Sequence, residues 1–234
     1  MADGKVAIVA GVGPGTGAAL ARRFHADGYR VALLARDAGF TRSLTDELHG
    51  SRAYACDVGD AASVDAAMAG VRHDLGDADV LLYNAGGGSF GGIEAITPEQ
   101  FEATWRVCAL GSLLLSQAVL PAMRANGSGA IIFTGATASR RGGPRSAAFA
   151  PAKAAQRALA ESMARSLWPE GIHVALMVVD GVIDIPRTRT MMPDKPDDFF
   201  LKPDAIAAVA AHLVAQDRSA WSFEVEARPY KETW

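Results

Sequence analysis

The sequence predicts an α/β protein, a doubly wound parallel sheet with helices on both faces, built as one domain over residues 1–234. Three observations carry that prediction. Strand-like and helix-like segments alternate from one end of the chain to the other, the order that builds a parallel sheet covered on both sides. The first strand-like run, Val6, Ala7, Ile8 and Val9, has no polar interruption, as expected of a central strand buried on both faces. No internal repeat or low-complexity linker breaks the series, and α/β folds often run to 234 residues as one domain.

The opening stretch, KVAIVAGVGPGTG, organises the rest. Gly11, Gly13, Gly15 and Gly17, with Thr16 among them, follow the first strand at once, and residues 18–24 then read as a helix. Strand, glycine turn and helix N-terminus together make a site for a pyrophosphate. Glycine lets the backbone come close to the anion, and the helix N–H groups and macrodipole point at it. The dinucleotide fingerprint G-x-G-x-x-G/A can be read through Gly13, Gly15 and Ala18, and G-x-x-x-G-x-G fits equally through Gly11, Gly15 and Gly17. Both readings make the sheet Rossmann-type.

The later elements follow in order. Residues 30–35 read as a strand, 40–48 as a helix, 52–56 as a strand, 61–75 as a helix and 79–83 as a strand. A long helix over 97–125 starts with Thr-Pro-Glu-Gln, which supplies an N-cap hydroxyl, Pro at the first helical position and Gln for a capping box. Then come a strand at 130–134, a helix at 147–167, a strand at 172–179 and a helix at 204–216. A last strand at 221–227 puts Trp221, Phe223 and Val225 on one face. Irregular sequence is concentrated at 86–92 (GGGSFGG) and at 184–203, which carries four prolines. Both lie beyond the C-terminal ends of strands, where open α/β sheets bind ligands, and the second is long enough for a substrate lid.

Composition narrows the function. Half the residues are hydrophobic, 21% are charged, and the net charge of -3 comes from interspersed signs, so no basic face points to nucleic acid. Cys56 and Cys108 are too few for a disulfide framework, and with the five scattered histidines they show no metal-ligand spacing. Apolar runs fall short of a membrane span and the N-terminus lacks a signal-type apolar region. A cytoplasmic protein is the expectation.

The pattern through Gly11, Gly15 and Gly17, with Asn84-Ala85-Gly86 after the fourth strand, resembles the short-chain dehydrogenase/reductase family, which usually has Thr where this chain has Ala10. The resemblance implies NAD(P)-dependent hydride chemistry. It implies that Asp57 and Val58 border the adenine, and that Gly181 and Ile183 border the nicotinamide. Ala35 takes the position of the family's NAD-selecting acid and Arg36 that of its NADP-selecting base, so NADP(H) is favoured over NAD(H). Against this stand Asp37, about twenty residues past the glycines, and the lack of a second base in the glycine loop.

The catalytic positions depart from the family. Its acid–base group is a Tyr in Y-x-x-x-K, where i, i+4 spacing sets Lys beside Tyr on one helix face. The matching stretch here is Phe149-Ala150-Pro151-Ala152-Lys153. The family's Ser falls on Ala136 and its Asn on Cys108, so of the four groups only Lys153 is kept. The P-G-x-x-x-T motif is altered by Asp180 and Ile185. Lys153 is expected to hold the nicotinamide ribose, with acid catalysis as a second role. Thr137, Ser139 and Ser146 are candidates to orient a carbonyl; Arg140, Arg141 and Arg145 either attract an anion or are surface residues.

Three functions compete: an atypical NAD(P)(H)-dependent short-chain oxidoreductase, a cofactor-binding regulatory or partner protein without hydride transfer, and a non-redox enzyme that reuses the pocket. The family habit of pairing its two long helices across two-fold axes implies a homodimer or homotetramer.

Overall fold

Val6–Ala10 (β1) is buried at every residue, because it lies inside a parallel sheet with a helical layer on each side. A computed structural model describes residues 4–231 of the chain. The further strands are Arg30–Ala35 (β2), Arg52–Ala55 (β3), Val80–Tyr83 (β4), Gly129–Ala136 (β5), Ile172–Val179 (β6), Val182–Ile183 (β7), Phe200–Leu201 (β8) and Glu224–Ala227 (β9). Seven of them form one sheet in the order β3-β2-β1-β4-β5-β6-β9, and β7 pairs with β8 alone. All the pairings are parallel. The helices are Thr16–Ala26 (α1), Ala38–Glu47 (α2), Ala61–Asp74 (α3), Pro98–Trp105 (α4), Gly111–Asn126 (α5), Phe149–Leu167 (α6), Pro186–Met191 (α7) and Pro203–Val214 (α8).

The side-chain alternation of the strands divides the core in two. Val6 and Ile8 face Met68 of α3, Leu115 of α5 and Met163 of α6. Ala7 and Val9 face Leu20 of α1, Leu44 of α2 and Ile206 of α8. The sheet therefore has three helices on each face, as the alternation of segments predicts.

The long helix expected over 97–125 begins as expected. Thr97 Oγ1 accepts from Gln100 N at 3.3 Å, and Gln100 Oε1 accepts from Thr97 N at 3.1 Å. It does not continue as one α-helix, because a π turn at Arg106–Leu110 joins α4 to α5. The cause is local. The Tyr83 hydroxyl donates to the Val107 carbonyl and Ser112 Oγ donates to Cys108 O, so side chains enter the backbone ladder. A Cβ on Gly111 would stand 2.3 Å from the Tyr83 oxygen. The run Pro98–Asn126 is 29 residues long and holds an 18-residue stretch with the mean hydropathy of a membrane span, 1.4. In this fold it packs on α3 and α6.

Two more expectations are corrected. The chain enters the sheet at Glu224, later than expected, so Phe223 and Val225 pack on opposite faces. Trp221 stacks flat on His173, ring centroids 4.7 Å apart, with Trp168 against its edge. The segment 184–203 is also not irregular. It holds α7 and β8, and Arg189 ties it down by ion pairs to Asp184 and Asp197. Beyond β9, Arg228 pairs with Asp180 and Lys231 with Asp198, which lays the tail over this segment. The last three residues of the sequence ending RPYKETW lie outside the described residues.

Candidate functional site

The strand order turns back at β1, which has β2 on one side and β4 on the other, and a crevice opens beyond their C-terminal ends. A cleft of about 1120 Å³ fills it. Gly11 and Gly13 wall it after β1, Arg36 after β2, Asp57 and Val58 after β3, and Asn84, Ala85 and Gly86 after β4. The structure thus brings together residues that lie far apart in the chain.

The glycine loop is shaped by close contacts. Gly11 has φ +87°, and a Cβ on it would lie 2.5 Å from the Ala85 backbone. One on Gly17 would lie 2.5 Å from Gly11 O, so the first turn of α1 sits directly on the end of β1. Asn84 Nδ2 donates to Gly11 O at 2.8 Å and fastens the two strand ends together. Gly13 faces open space, with no atom within 4 Å of its missing Cβ. Gly15 and Thr16 stand behind this wall, and the buried Thr16 hydroxyl has no hydrogen-bond partner among the described residues. An open cradle at a helix N-terminus, with a hydroxyl left unpaired, fits a dinucleotide pyrophosphate.

At the far end of the cleft two neighbouring charges behave differently. Asp37 caps α2, its Oδ1 accepting from Gly39 N at 2.8 Å. Arg36 is exposed on the cleft wall and makes no hydrogen bond or ion pair with another described residue. Phe40, which sequence reasoning missed, lines the same end.

Behind the other end, past Gly86, stands the head of α6. Lys153 is 3% exposed, and its Nζ donates to Thr134 O at 2.8 Å and to Gln156 Oε1 at 3.0 Å. A Cβ on Gly86 would stand 3.2 Å from that nitrogen, so the ammonium lies behind the cleft wall and is not part of its lining. Burial pushes the Lys153 pKa below its ordinary value, and Cys108 acts the other way. Phe149 opens α6 one turn earlier. Its ring centroid is 5.8 Å from Lys153 Nζ and 5.1 Å from the ring of Phe90, an exposed side chain of the glycine-rich loop. Ala136 ends β5, and Cys108 is fully buried in the π turn with Sγ 3.7 Å from Gly87 O.

The other polar candidates are committed locally. Thr137 donates to Asp180, Ser139 Oγ accepts from Ala136 N, and Ser146 Oγ donates to Gly143 O. Arg140 pairs with Glu224 and Glu226, and Arg141 lies 3.8 Å from Asp180. Arg145 is exposed. Gly181 and Ile183 do not line the cleft, since Gly181 packs under Pro229 and Ile183 joins β7. Ile185, two residues on, lies 2.7 Å from a Cβ built on Gly15. Among the described residues, no group of three or more His, Cys, Asp or Glu side chains could hold a metal ion.

The family profile described as short chain dehydrogenase matches residues 5–195. The chain belongs to the short-chain dehydrogenase family. Among its relatives, D-threitol dehydrogenase of Mycolicibacterium smegmatis is 31% identical over 230 residues, 93% of this chain and 88% of that one. The 2-(R)-hydroxypropyl-CoM dehydrogenase of Xanthobacter autotrophicus is 37% identical over 203 residues, 82% of this chain and 80% of that one. A metagenomic short-chain oxidoreductase solved in complex with NADP superposes with a TM-score of 0.84 at 30% identity, covering 97% of this chain and 98% of that one.

In this short-chain dehydrogenase two residues near Lys153 escaped the sequence reading. Gln156 and Ser112 are buried polar side chains on facing helices, bonded to each other at 2.9 Å. Their signal in the sequence is faint: a Gln three residues after Lys153, on the helix face that continues through Ala160 and Met163.

Proposed function

We propose that this short-chain dehydrogenase is an atypical oxidoreductase that binds NADP(H) in preference to NAD(H) and turns over ordinary carbonyls slowly. A nicotinamide dinucleotide bound in the cleft supplies or accepts the hydride. The chain's own part is to hold the pyrophosphate at the α1 N-terminus, to offer Arg36 to a 2′-phosphate, and to set positive charge behind Gly86 with Lys153. The observation that carries the reading is at the head of α6. One turn before Lys153 stands Phe149, packed on Phe90, where the family resemblance calls for a phenol. With Ala136 and Cys108 at the neighbouring positions, none of the three residues at the family's Tyr, Ser and Asn positions carries a hydroxyl or amide to hold and protonate an alkoxide. Reduction of an activated C=C or C=N bond, which forms no alkoxide, suits it better.

The Phe90–Phe149 contact favours a second reading as well, a cofactor-binding regulatory protein without hydride transfer. One pair of measurements separates the two. Calorimetric titration should give tighter binding of NADPH than NADH, and NADPH absorbance followed over a panel of ketones, enones and imines should show turnover confined to the activated bonds. Rapid turnover of simple ketones overturns the disabled-acid reading, and no turnover of any acceptor selects the regulatory one.

The reading also includes a homodimer or homotetramer, with no nucleic-acid or membrane partner. It is supported by the exposed Phe101 and Trp105 on one side of α4 and by the exposed Ala154 and Ala158 of α6. A monomer mass by light scattering at micromolar protein overturns it.

A further inference from the structure

Lys153 sits in a network that the general chemistry of the site does not require. Its ammonium has three N–H donors, of which Thr134 O and Gln156 Oε1 take two. The orientation of the Gln156 amide follows from its partners. Ser112 Oγ donates its one proton to Cys108 O at 2.7 Å, so toward Gln156 it can only accept. Gln156 Nε2 therefore faces Ser112, at 2.9 Å, and Oε1 is left to face Lys153. Lys153, Gln156 and Ser112 are all buried, so no solvent competes with these bonds.

The arrangement has a consequence for charge. A fully enclosed ammonium loses hydration, and burial favours its neutral form. Two carbonyl oxygens at hydrogen-bond distance oppose that loss, since both favour the charged form. The Thr134 carbonyl belongs to β5 and is fixed by the fold, whereas the Gln156 carbonyl is a side-chain group. Cys108, on the π turn, is the titratable side chain whose charge bears on Lys153; the other groups around it are Thr134, the Gly86 backbone and the Phe149 ring.

We propose that Gln156, its amide oriented by Ser112, is a positioning residue that keeps Lys153 an ammonium beneath Gly86, where its charge acts on the cofactor cleft through the wall. The cofactor part of this inference rests on the reading of the cleft given above. The positioning part does not.

The test uses the full chain labelled with 13C and 15N at its five lysines, the Lys153 signal being assigned with Lys153→Arg. Titrated by NMR without cofactor, the native Lys153 should stay charged from pH 6 to 9. In Gln156→Leu its midpoint should fall by about one unit or more, the size of one lost hydrogen bond to a charged group. Ser112→Ala, which frees the amide to turn, should move it the same way by less, and provides the test if Gln156→Leu does not fold. Gln156→Glu should hold the ammonium as the native protein does. A Cys108→Ser background separates a thiol titration from the lysine's.

In calorimetry, NADPH binding to Gln156→Leu should weaken about three-fold or more as pH rises from 6 to 9, a pH change the native protein should not show. An unmoved lysine midpoint, or an equal loss of affinity at every pH, reduces Gln156 to a packing residue and overturns the proposal. A moved midpoint in a protein that does not bind NADPH upholds the role of Gln156 and refutes the cofactor reading instead.

Discussion

The two ends of the cleft are built on opposite terms. At the glycine-loop end, the ligand-facing groups are open: Gly13 borders empty space and Arg36 has no partner among the described residues. At the α6 end they are withdrawn, with Lys153 enclosed behind Gly86 and Phe149 covered by Phe90. Both ends come from the same sheet and the same kind of strand-to-helix connection. On the function proposed above, the fold keeps the apparatus for holding a dinucleotide while the apparatus for moving a proton changes, which is open to it because the two draw on different strands.

The largest effect is expected from restoring the proton donor at the head of α6. Phe149→Tyr combined with Ala136→Ser should raise ketone reduction about 100-fold, the lower range for a placed general acid, measured by NADPH absorbance. No gain would mean that the α6 end lacks the shape for a carbonyl as well as the acid. A smaller effect sharpens the open end. Arg36→Ala should lower NADPH affinity about ten-fold or more and leave NADH affinity unchanged, since a charge-assisted contact to a phosphate is worth about 1.5–3 kcal/mol. Equal affinities for the two cofactors in the native protein would remove Arg36 from the account.

The smallest effect lies at the opposite edge of the sheet, where neither end of the cleft reaches. His173 is buried between Trp168 and Trp221, its Nε2 3.0 Å from Ser222 O, and burial holds its pKa below the ordinary value of 6.5. Its neutral form is favoured in the folded state, so its contribution to stability is present above about pH 6.5 and is lost as pH falls. The melting temperature should therefore drop from pH 7 toward pH 5, and His173→Phe should flatten that drop without changing NADPH affinity. A change in affinity would show that the edge and the cleft are coupled.

Much of the fold was legible because its signals are local. The apolar run of β1, the glycines that follow it and the Thr97–Gln100 capping box each report a structure within a few residues. The alternation of segments then limits the topology. The π turn was not legible, because it depends on the Tyr83 hydroxyl reaching Val107 from another strand. Nor was the late start of β9, where Trp221 is drawn into a stack with His173.

The candidate site divides along the same line. Gly11, Arg36, Asp57 and Asn84 each follow one of the first four strands in the sequence, and a parallel sheet puts such positions at one edge, whatever the strand order. The sequence by itself also determined that Phe149 and Lys153 share a helix face. It took the packed fold to give Asp37 a helix to cap while Arg36 finds no partner among the described residues, and to set Lys153 behind Gly86 in the hold of Gln156 and Ser112. The physical reason is range. A turn or a helix face is settled by neighbours in the chain, but the charge and direction of a buried side chain are settled by whichever groups the fold packs against it.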